Sequence, residues 1–276
     1  MHRYKQIEYK AGATREVIRC IPKGMRKGIA RGPREKKNRE EIAQANMRQA
    51  ARRLARKINA NFRPGDLHVT LTYRPKERPD REQAQKNIKK LLDDLRRAYK
   101  KAGKMLKYIL VTEYKNKAIH HHLIINNIND GSRTTQDYIR GFWKDRGSPK
   151  YVQLYDDAEY RVLAEYLIKE TEKTFREQDS PVKQRYSCSR NLVDPKPESR
   201  IRKTKNGWKL DPEPRAGYYI IPETIYNGFD RAGYPYQRYV MVKLRPEDSD
   251  WPPDDLPRGK GKHEIHRKHK GNRKGQ

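Results

Sequence analysis

The chain has 276 residues, of which 34% are hydrophobic, enough for one substantial core with extensions. Its 65 lysines and arginines against 35 aspartates and glutamates give a formal net charge of +30, so a polyanion, with nucleic acid as the leading candidate, is the expected partner. No run approaches the roughly eighteen apolar residues of a membrane span, the N-terminus has no apolar signal region, and two cysteines are too few for a disulfide framework. We therefore expect a cytoplasmic protein with no membrane partner.

The composition and periodicity of the first hundred residues predict an arm, a helix, a strand and a second helix. Residues 1–37 are basic and glycine-rich without periodicity, which indicates a flexible basic arm. Over 38–60 apolar residues recur at helical spacing with arginine and lysine on the other face. A period-two segment at 65–73 predicts the first strand of a sheet. Asp80 is a suitable N-cap for the second helix, and Gly103 supplies its end.

The next segment, residues 107–126, predicts a hairpin that contains three consecutive histidines. Because strand side chains alternate between faces, His120 and His122 point the same way and His121 points the other way. In the symmetric register of the hairpin Glu113 lies opposite His120 and shares its face. Two imidazoles and a carboxylate therefore converge, which predicts a metal site.

A helix at 135–144 and a short strand at 151–155 complete the order β-α-β-β-α-β. This order is typical of the α+β ferredoxin-like or RNA-recognition-motif sandwich, in which one face of an antiparallel sheet packs on two helices and the other can hold a site. A further helix at 156–173 is expected to cover apolar residues on the open face. The expected organisation is a flexible arm at 1–37, a core with its N-terminal helix at 38–173, an accessory β-rich region at 174–250 and a disordered basic tail at 251–276.

The predicted covering helix carries Tyr166 and Lys169, three residues apart and on one side of the helix. A divalent cation held by the three convergent side chains would keep positions open for a phosphate oxygen. A tyrosine over the same face could then act as nucleophile, with help from the metal or from Lys169, because a free phenol has a pKa of about 10. Attack by Tyr166 would expel a 3′-hydroxyl and leave a 5′-phosphotyrosine, which permits rejoining without ATP.

Taken together, the His-x-His strand, the upstream strand ending in Thr70–Tyr73 and the helix with Tyr166 resemble the three motifs of HUH endonucleases, in that order. The likeness over roughly 38–245 is closer to the rolling-circle replication initiators of filamentous phages and Gram-positive mobile elements. Further reminiscent segments are Asn59–Phe62, Gly65–Asp66, the strand of Glu113 and Ser189–Leu192.

This resemblance implies site-specific nicking of single-stranded DNA at a replication origin with Mn²⁺ or Mg²⁺, and a possible host helicase and polymerase as partners. The roles it implies are metal ligands for Glu113, His120 and His122, nucleophile for Tyr166 and electrostatic helper for Lys169. One departure is His121, at a position that is usually apolar in the family. Facing the helix-packed side, it must find a hydrogen-bond partner. Tyr160 is interpreted as a packing residue rather than a second nucleophile.

Other readings stay open from the sequence. His68 shares the open face and could contact DNA or metal, although a solvated strand histidine is as good an interpretation. A relaxase or transposase would use the same chemistry. A non-catalytic RNA-recognition-motif-like binder of single strands has the same element order but carries aromatic residues where this sequence has histidine and threonine. A two-histidine, one-carboxylate iron oxygenase would not explain the basic charge.

Overall fold

In the computed structural model, residues 2–32, 38–115, 118–155, 157–176 and 184–256 are described. They form four α-helices and two antiparallel sheets, so the predicted α+β class is confirmed. The helices are α1 Arg39–Asn61, α2 Arg81–Lys101, α3 Thr135–Trp143 and α4 Arg161–Arg176. The strands are β1 His2–Ala11, β2 Thr14–Cys20, β3 Leu67–Leu71, β4 Tyr108–Lys115, β5 Ala118–Ile125, β6 Lys150–Gln153, β7 Ser187–Cys188, β8 Pro197–Thr204, β9 Tyr218–Ile220, β10 Tyr226–Phe229 and β11 Pro235–Lys243.

One sheet has the order β6-β3-β5-β4-β7 and contains the predicted hairpin. Within the unit β3-α2-β4-β5-α3-β6, its four strands stand in the order fourth, first, third, second, which is the ferredoxin-like arrangement. We call it the ferredoxin-like sheet. Each predicted helix and strand of this unit is present. The two-residue strand β7 extends the sheet beside β4 and is the edge at that side.

The predicted helix boundaries follow from local capping. At the start of α2 the Asp80 side chain accepts a hydrogen bond from the Gln83 backbone N–H at 2.7 Å, as expected. Gly103 follows the helix with φ +71°, the left-handed conformation that ends helices at little steric cost. At the start of α1, Asn38 and Glu41 form a reciprocal capping box.

The two faces of the ferredoxin-like sheet are buried by different helices. Leucine, valine and isoleucine side chains of β3 and β5 pack against α2 and α3 in one core cluster. On the other face Ile109, Val111 and Ile124 are fully or almost fully buried by residues of α4, as predicted, and also by residues of α1 such as Leu54 and Ile58. Burying an aliphatic side chain of this size stabilises the fold by about 1.5–3 kcal/mol. The amphipathic face of α1 is therefore part of the same cover.

The second sheet has the order β10-β11-β2-β1-β8, with β9 beside β11. It corrects the expectation of a flexible arm, because residues 2–20 form the hairpin β1–β2 in the middle of this sheet. Their partners β8 and β11 lie about two hundred residues later, beyond the reach of local periodicity. Residues 33–37 of the expected arm lie outside the described residues. Within the predicted accessory β-rich region at 174–250, the strands β8 to β11 share this sheet with β1 and β2, whereas β7 extends the ferredoxin-like sheet. That residues 174–250 form a separate unit stays a prediction.

The start of the predicted tail is ordered against the core. Trp251 is buried and its indole N–H donates to the Asn59 carbonyl at 2.9 Å. Asp254 forms a 2.7 Å ion pair with the buried Lys107. The expected disorder is therefore wrong for residues 251–256, and residues 257–276 lie outside the described residues. Among the helices that the structure describes, none is long and apolar enough to cross a membrane.

Candidate active site

The hairpin register places the predicted ligands on one face. Glu113 pairs with His120 and Val111 pairs with His122 across β4 and β5, while Thr70 of β3 pairs with His122 from the other side. These side chains lie on the sheet face that α1 and α4 cover, so the predicted register is confirmed. Glu113 and His122 are buried and His120 is partly exposed.

The atoms of Glu113, His120 and His122 that could ligate a metal lie close together. Glu113 Oε2 lies 3.7 Å from His122 Nε2 and 3.9 Å from His120 Nδ1. Burial, followed by the proximity of His120, lowers the pKa of His122 to about 4. Burial, followed by Arg78, also lowers the pKa of His120. Both imidazoles are therefore neutral at pH 7 and can offer a lone pair.

His122 is oriented by a third imidazole and a hydroxyl. His68 Nε2 lies 3.3 Å and Thr70 Oγ1 lies 3.4 Å from His122 Nδ1, and the rings of His68 and His122 are stacked at 5.5 Å. Burial and then His122 lower the pKa of His68 to about 4, so the contact joins two neutral rings. If His122 donates its Nδ1–H to either neighbour, Nε2 keeps its lone pair toward Glu113. His68 is thus a half-buried neighbour of the site rather than a solvated strand residue.

His121 points to the opposite face, as its place in the strand predicts. Its side chain is fully buried, with Nδ1 at 2.9 Å from Thr112 Oγ1 and Nε2 at 3.1 Å from the Tyr73 hydroxyl. Burial is the main cause that lowers the pKa of His121 to about 3. The expected hydrogen-bond partners exist, and both ring nitrogens of His121 are used away from the other two histidines.

The donor set suits a divalent cation, although the side chains are not closed around one. No three His, Cys, Asp or Glu side chains among the described residues stand at metal-holding geometry. Atoms that ligate one ion at about 2.1 Å lie roughly 3–3.5 Å apart, so the Glu113 contacts are a few tenths of an ångström too long. His122 Nε2 is nevertheless buried and has no hydrogen-bond partner within the described residues. A buried, unpaired, neutral nitrogen beside a carboxylate fits a cation site.

Tyr166 of α4 lies over this face. Its ring centroid is 5.5 Å from that of His122, with the ring planes at 89°, and the residue is 43% exposed. Burial, and then the carboxylates of Glu170 and Glu113, raise the pKa of its phenol. Lys169 is exposed one turn later, and the charges that shift this phenol are those of the two glutamates, so its role as helper stays a prediction.

Tyr160 is not part of this site, because its side chain is buried in the core. It is fully buried in the cluster between α1, α4 and the sheet, and its backbone N–H donates to Asn59 Oδ1 at 3.0 Å. Its interpretation as a packing residue agrees with this environment.

Asn59 has a structural role that the sequence did not reveal. Its side chain donates to Thr14 Oγ1 at 3.1 Å in the second sheet and accepts from Tyr160 just before α4, while its carbonyl accepts from Trp251. This residue therefore ties α1 to the segment from which Tyr166 projects. In the sequence, Asn59 can be recognised as a polar residue between the apolar Ile58 and Ala60, at the C-terminal end of an amphipathic helix.

The segment that contains this site is similar to a known protein family. Residues 66–175 match the family model described as a replication-associated protein of the ORF2 type. The match covers 110 of the 276 residues, and over this segment the chain is similar to that family. The matched segment runs from the start of β3 to the end of α4 and includes every candidate residue, which agrees with the resemblance to rolling-circle replication initiators. No curated protein and no solved structure matches the chain.

Proposed function

We propose that this protein nicks and rejoins single-stranded DNA at a replication origin and so initiates rolling-circle replication, with Tyr166 as the nucleophile. The family supports a role in replication initiation and DNA as the partner. The observation that supports the chemistry is the position of the Tyr166 ring, 5.5 Å from the His122 ring on the face that carries His120 and Glu113.

The proposed step is a transesterification. The Tyr166 oxygen attacks a phosphorus of the DNA backbone, the bond from phosphorus to the 3′-oxygen breaks, and a 5′-phosphotyrosine forms. The proton that the phenol loses is balanced by the one that the departing 3′-oxygen gains. Because one phosphodiester replaces another, the strand can be rejoined by the reverse attack of the 3′-hydroxyl.

Mn²⁺ or Mg²⁺ bound by Glu113, His120 and His122 would polarise the phosphate and offset the negative charge that develops there. The neutral imidazoles and the carboxylate would hold the cation, while contacts from His68 and Thr70 orient the ring of His122. The raised pKa of the Tyr166 phenol keeps it protonated in the free protein, so proton removal belongs to the complex with DNA. Lys169, one turn later, would contribute positive charge near the phenolate.

A non-catalytic single-strand binder is the second candidate, but the structure offers it less. In such modules the open sheet face presents aromatic side chains to bases. Here α1 and α4 cover part of that face, and the residues beside the cover are histidines and a buried glutamate. A relaxase or transposase would share the chemistry and differ in the DNA that it recognises.

The test uses labelled single-stranded oligonucleotides that tile the DNA flanking the coding sequence, with Mn²⁺. Wild-type protein should form an adduct that survives denaturing electrophoresis, and Tyr166→Phe should form none. Tyr160→Phe is the matched control, since the Tyr160 hydroxyl is directed to the Tyr155 carbonyl at 3.4 Å in the core between α1 and α4, and this variant should keep the adduct. An undiminished adduct in Tyr166→Phe would show that another residue is the nucleophile. Cleavage that persists in EDTA would contradict the proposed role of the metal.

A further inference from the structure

Two basic cavities meet at Cys188 in β7, the edge strand of the ferredoxin-like sheet. One, of about 610 Å³, lies between α2 and the segment after β7, and its lining includes Lys100, Arg190 and Tyr108. The other, of about 530 Å³, lies between α1 and the segment before β7, and its lining includes Arg53 and Tyr186. We call the two together the β7-edge groove. Among the residues that the structure describes, their lining contains seven lysines and arginines and no aspartate or glutamate.

Three cations of the β7-edge groove are unpaired. Arg53, Lys100 and Arg190 are exposed and form no ion pair with the other described residues. Elsewhere in the groove Lys57 is paired with Asp194 at 2.8 Å, and Lys104 is paired with Asp255. Unpaired cations on a concave surface whose described lining carries no acidic side chain favour a polyanionic ligand.

The backbone around Arg190 is held in place by the sheet. Ser189 on one side exchanges hydrogen bonds with Tyr108, at 3.0 Å from the Tyr108 N–H to Ser189 Oγ and 3.0 Å from the Ser189 N–H to the Tyr108 carbonyl. On the other side the side-chain amide of Asn191 donates a hydrogen bond to the Leu106 carbonyl at 3.2 Å. The guanidinium therefore extends from a fixed turn rather than a free loop, which lowers the entropy lost on binding.

The β7-edge groove also offers aromatic surface. Tyr108 and Tyr186 are both partly buried in its walls. A basic groove with aromatic side chains is typical of single-strand binding, in which cations follow the phosphates and bases stack on the rings.

The groove is too far from Glu113 to act on the reacting phosphate. Cys188 pairs with Ile109, which lies four residues before Glu113 on β4, or about 13 Å along the strand. Because of this distance, and because the groove is lined by unpaired cations and tyrosines, we propose that the β7-edge groove binds the phosphodiester backbone of the single strand that flanks the nick site. This inference rests on the proposed function, because it places more of the same DNA strand.

The test compares two triple variants with the same change in net charge. The first is Arg53→Ala, Lys100→Ala and Arg190→Ala, and the control is Lys86→Ala, Lys89→Ala and Lys90→Ala, three exposed cations of α2 that do not line the groove. Single-strand contacts contribute about 0.7 each to the salt slope, so the groove variant should lose about 2 from the slope of log affinity against log salt. At about 0.15 M salt, this corresponds to roughly 10- to 50-fold weaker binding of a long oligonucleotide.

Adduct formation on a short oligonucleotide that spans only the nick site should be unchanged in the groove variant. Equal weakening in both triple variants, or weakening for duplex but not for single-stranded DNA, would overturn the inference. Arg190→Ala alone should reduce the slope by about 0.7, which provides the same test if the triple variant unfolds. A wild-type protein that makes no adduct would refute the proposed function, whatever the groove variant binds.

Discussion

Replacing Asn59 tests whether one buried side chain holds α4 over the sheet. The residue is 3% exposed, donates to Thr14 and accepts from the backbone N–H of Tyr160, the residue before α4. In Asn59→Ala the Tyr160 N–H loses its acceptor in a buried position, which costs about 1–3 kcal/mol. Losing the bond to Thr14 costs about 0.5–1.5 kcal/mol more, whereas the Trp251 bond survives because it goes to the backbone.

We therefore expect Asn59→Ala to lower the free energy of unfolding by about 1.5–4.5 kcal/mol, measured by urea denaturation. Asn87→Ala is the matched control, because the Asn87 side chain makes an exposed contact with Gln83 on α2, and its cost should stay within about 0.5 kcal/mol. The folded fraction of Asn59→Ala should also form adduct more slowly, because Tyr166 follows Tyr160 on the same segment. A change in unfolding free energy no larger than that of Asn87→Ala would refute the tie between α1 and α4.

Three further predictions concern the histidines. His122→Asn should weaken Mn²⁺ binding by roughly 100-fold or more in calorimetry, whereas His121→Asn should leave it unchanged; equal losses would contradict the assignment of faces. His68→Leu should weaken Mn²⁺ binding by about 10- to 100-fold, and an unaltered affinity would show that His68 does not position His122. In EDTA, the free energy of unfolding should fall as pH drops from about 6.5 toward 4, because the unfolded chain binds protons that buried His121, with its pKa lowered to about 3, does not. His121→Asn should reduce that slope by about 1.4 kcal/mol per pH unit, and an unchanged slope would contradict the buried neutral state.

The ferredoxin-like sheet could be predicted because its determinants are local. Alternation of side chains assigns His120 and His122 to one face, and a short connection between two strands fixes Glu113 opposite His120. Both need only neighbouring residues. The N-cap of α2 at Asp80 follows from the same kind of signal.

The second sheet could not be predicted because its pairing is non-local. Tyr4 of β1 pairs with Arg202 of β8, and Val17 of β2 pairs with Tyr239 of β11. The basic residues within β1 and β2 masked the weaker alternation of their buried positions. The cover by α1 and the role of Asn59 were missed for the same reason, since an amphipathic pattern shows that a helix has an apolar face but not what it packs against.

The most direct test of the central claim is to locate the covalent bond. After reaction with a single-stranded origin oligonucleotide and Mn²⁺, nuclease treatment and trypsin should leave a nucleotide on the peptide of residues 162–169, whose only tyrosine is Tyr166. Mass spectrometry should find the added mass on that residue. A nucleotide on the preceding peptide, which contains Tyr160, or on any other residue would contradict the account.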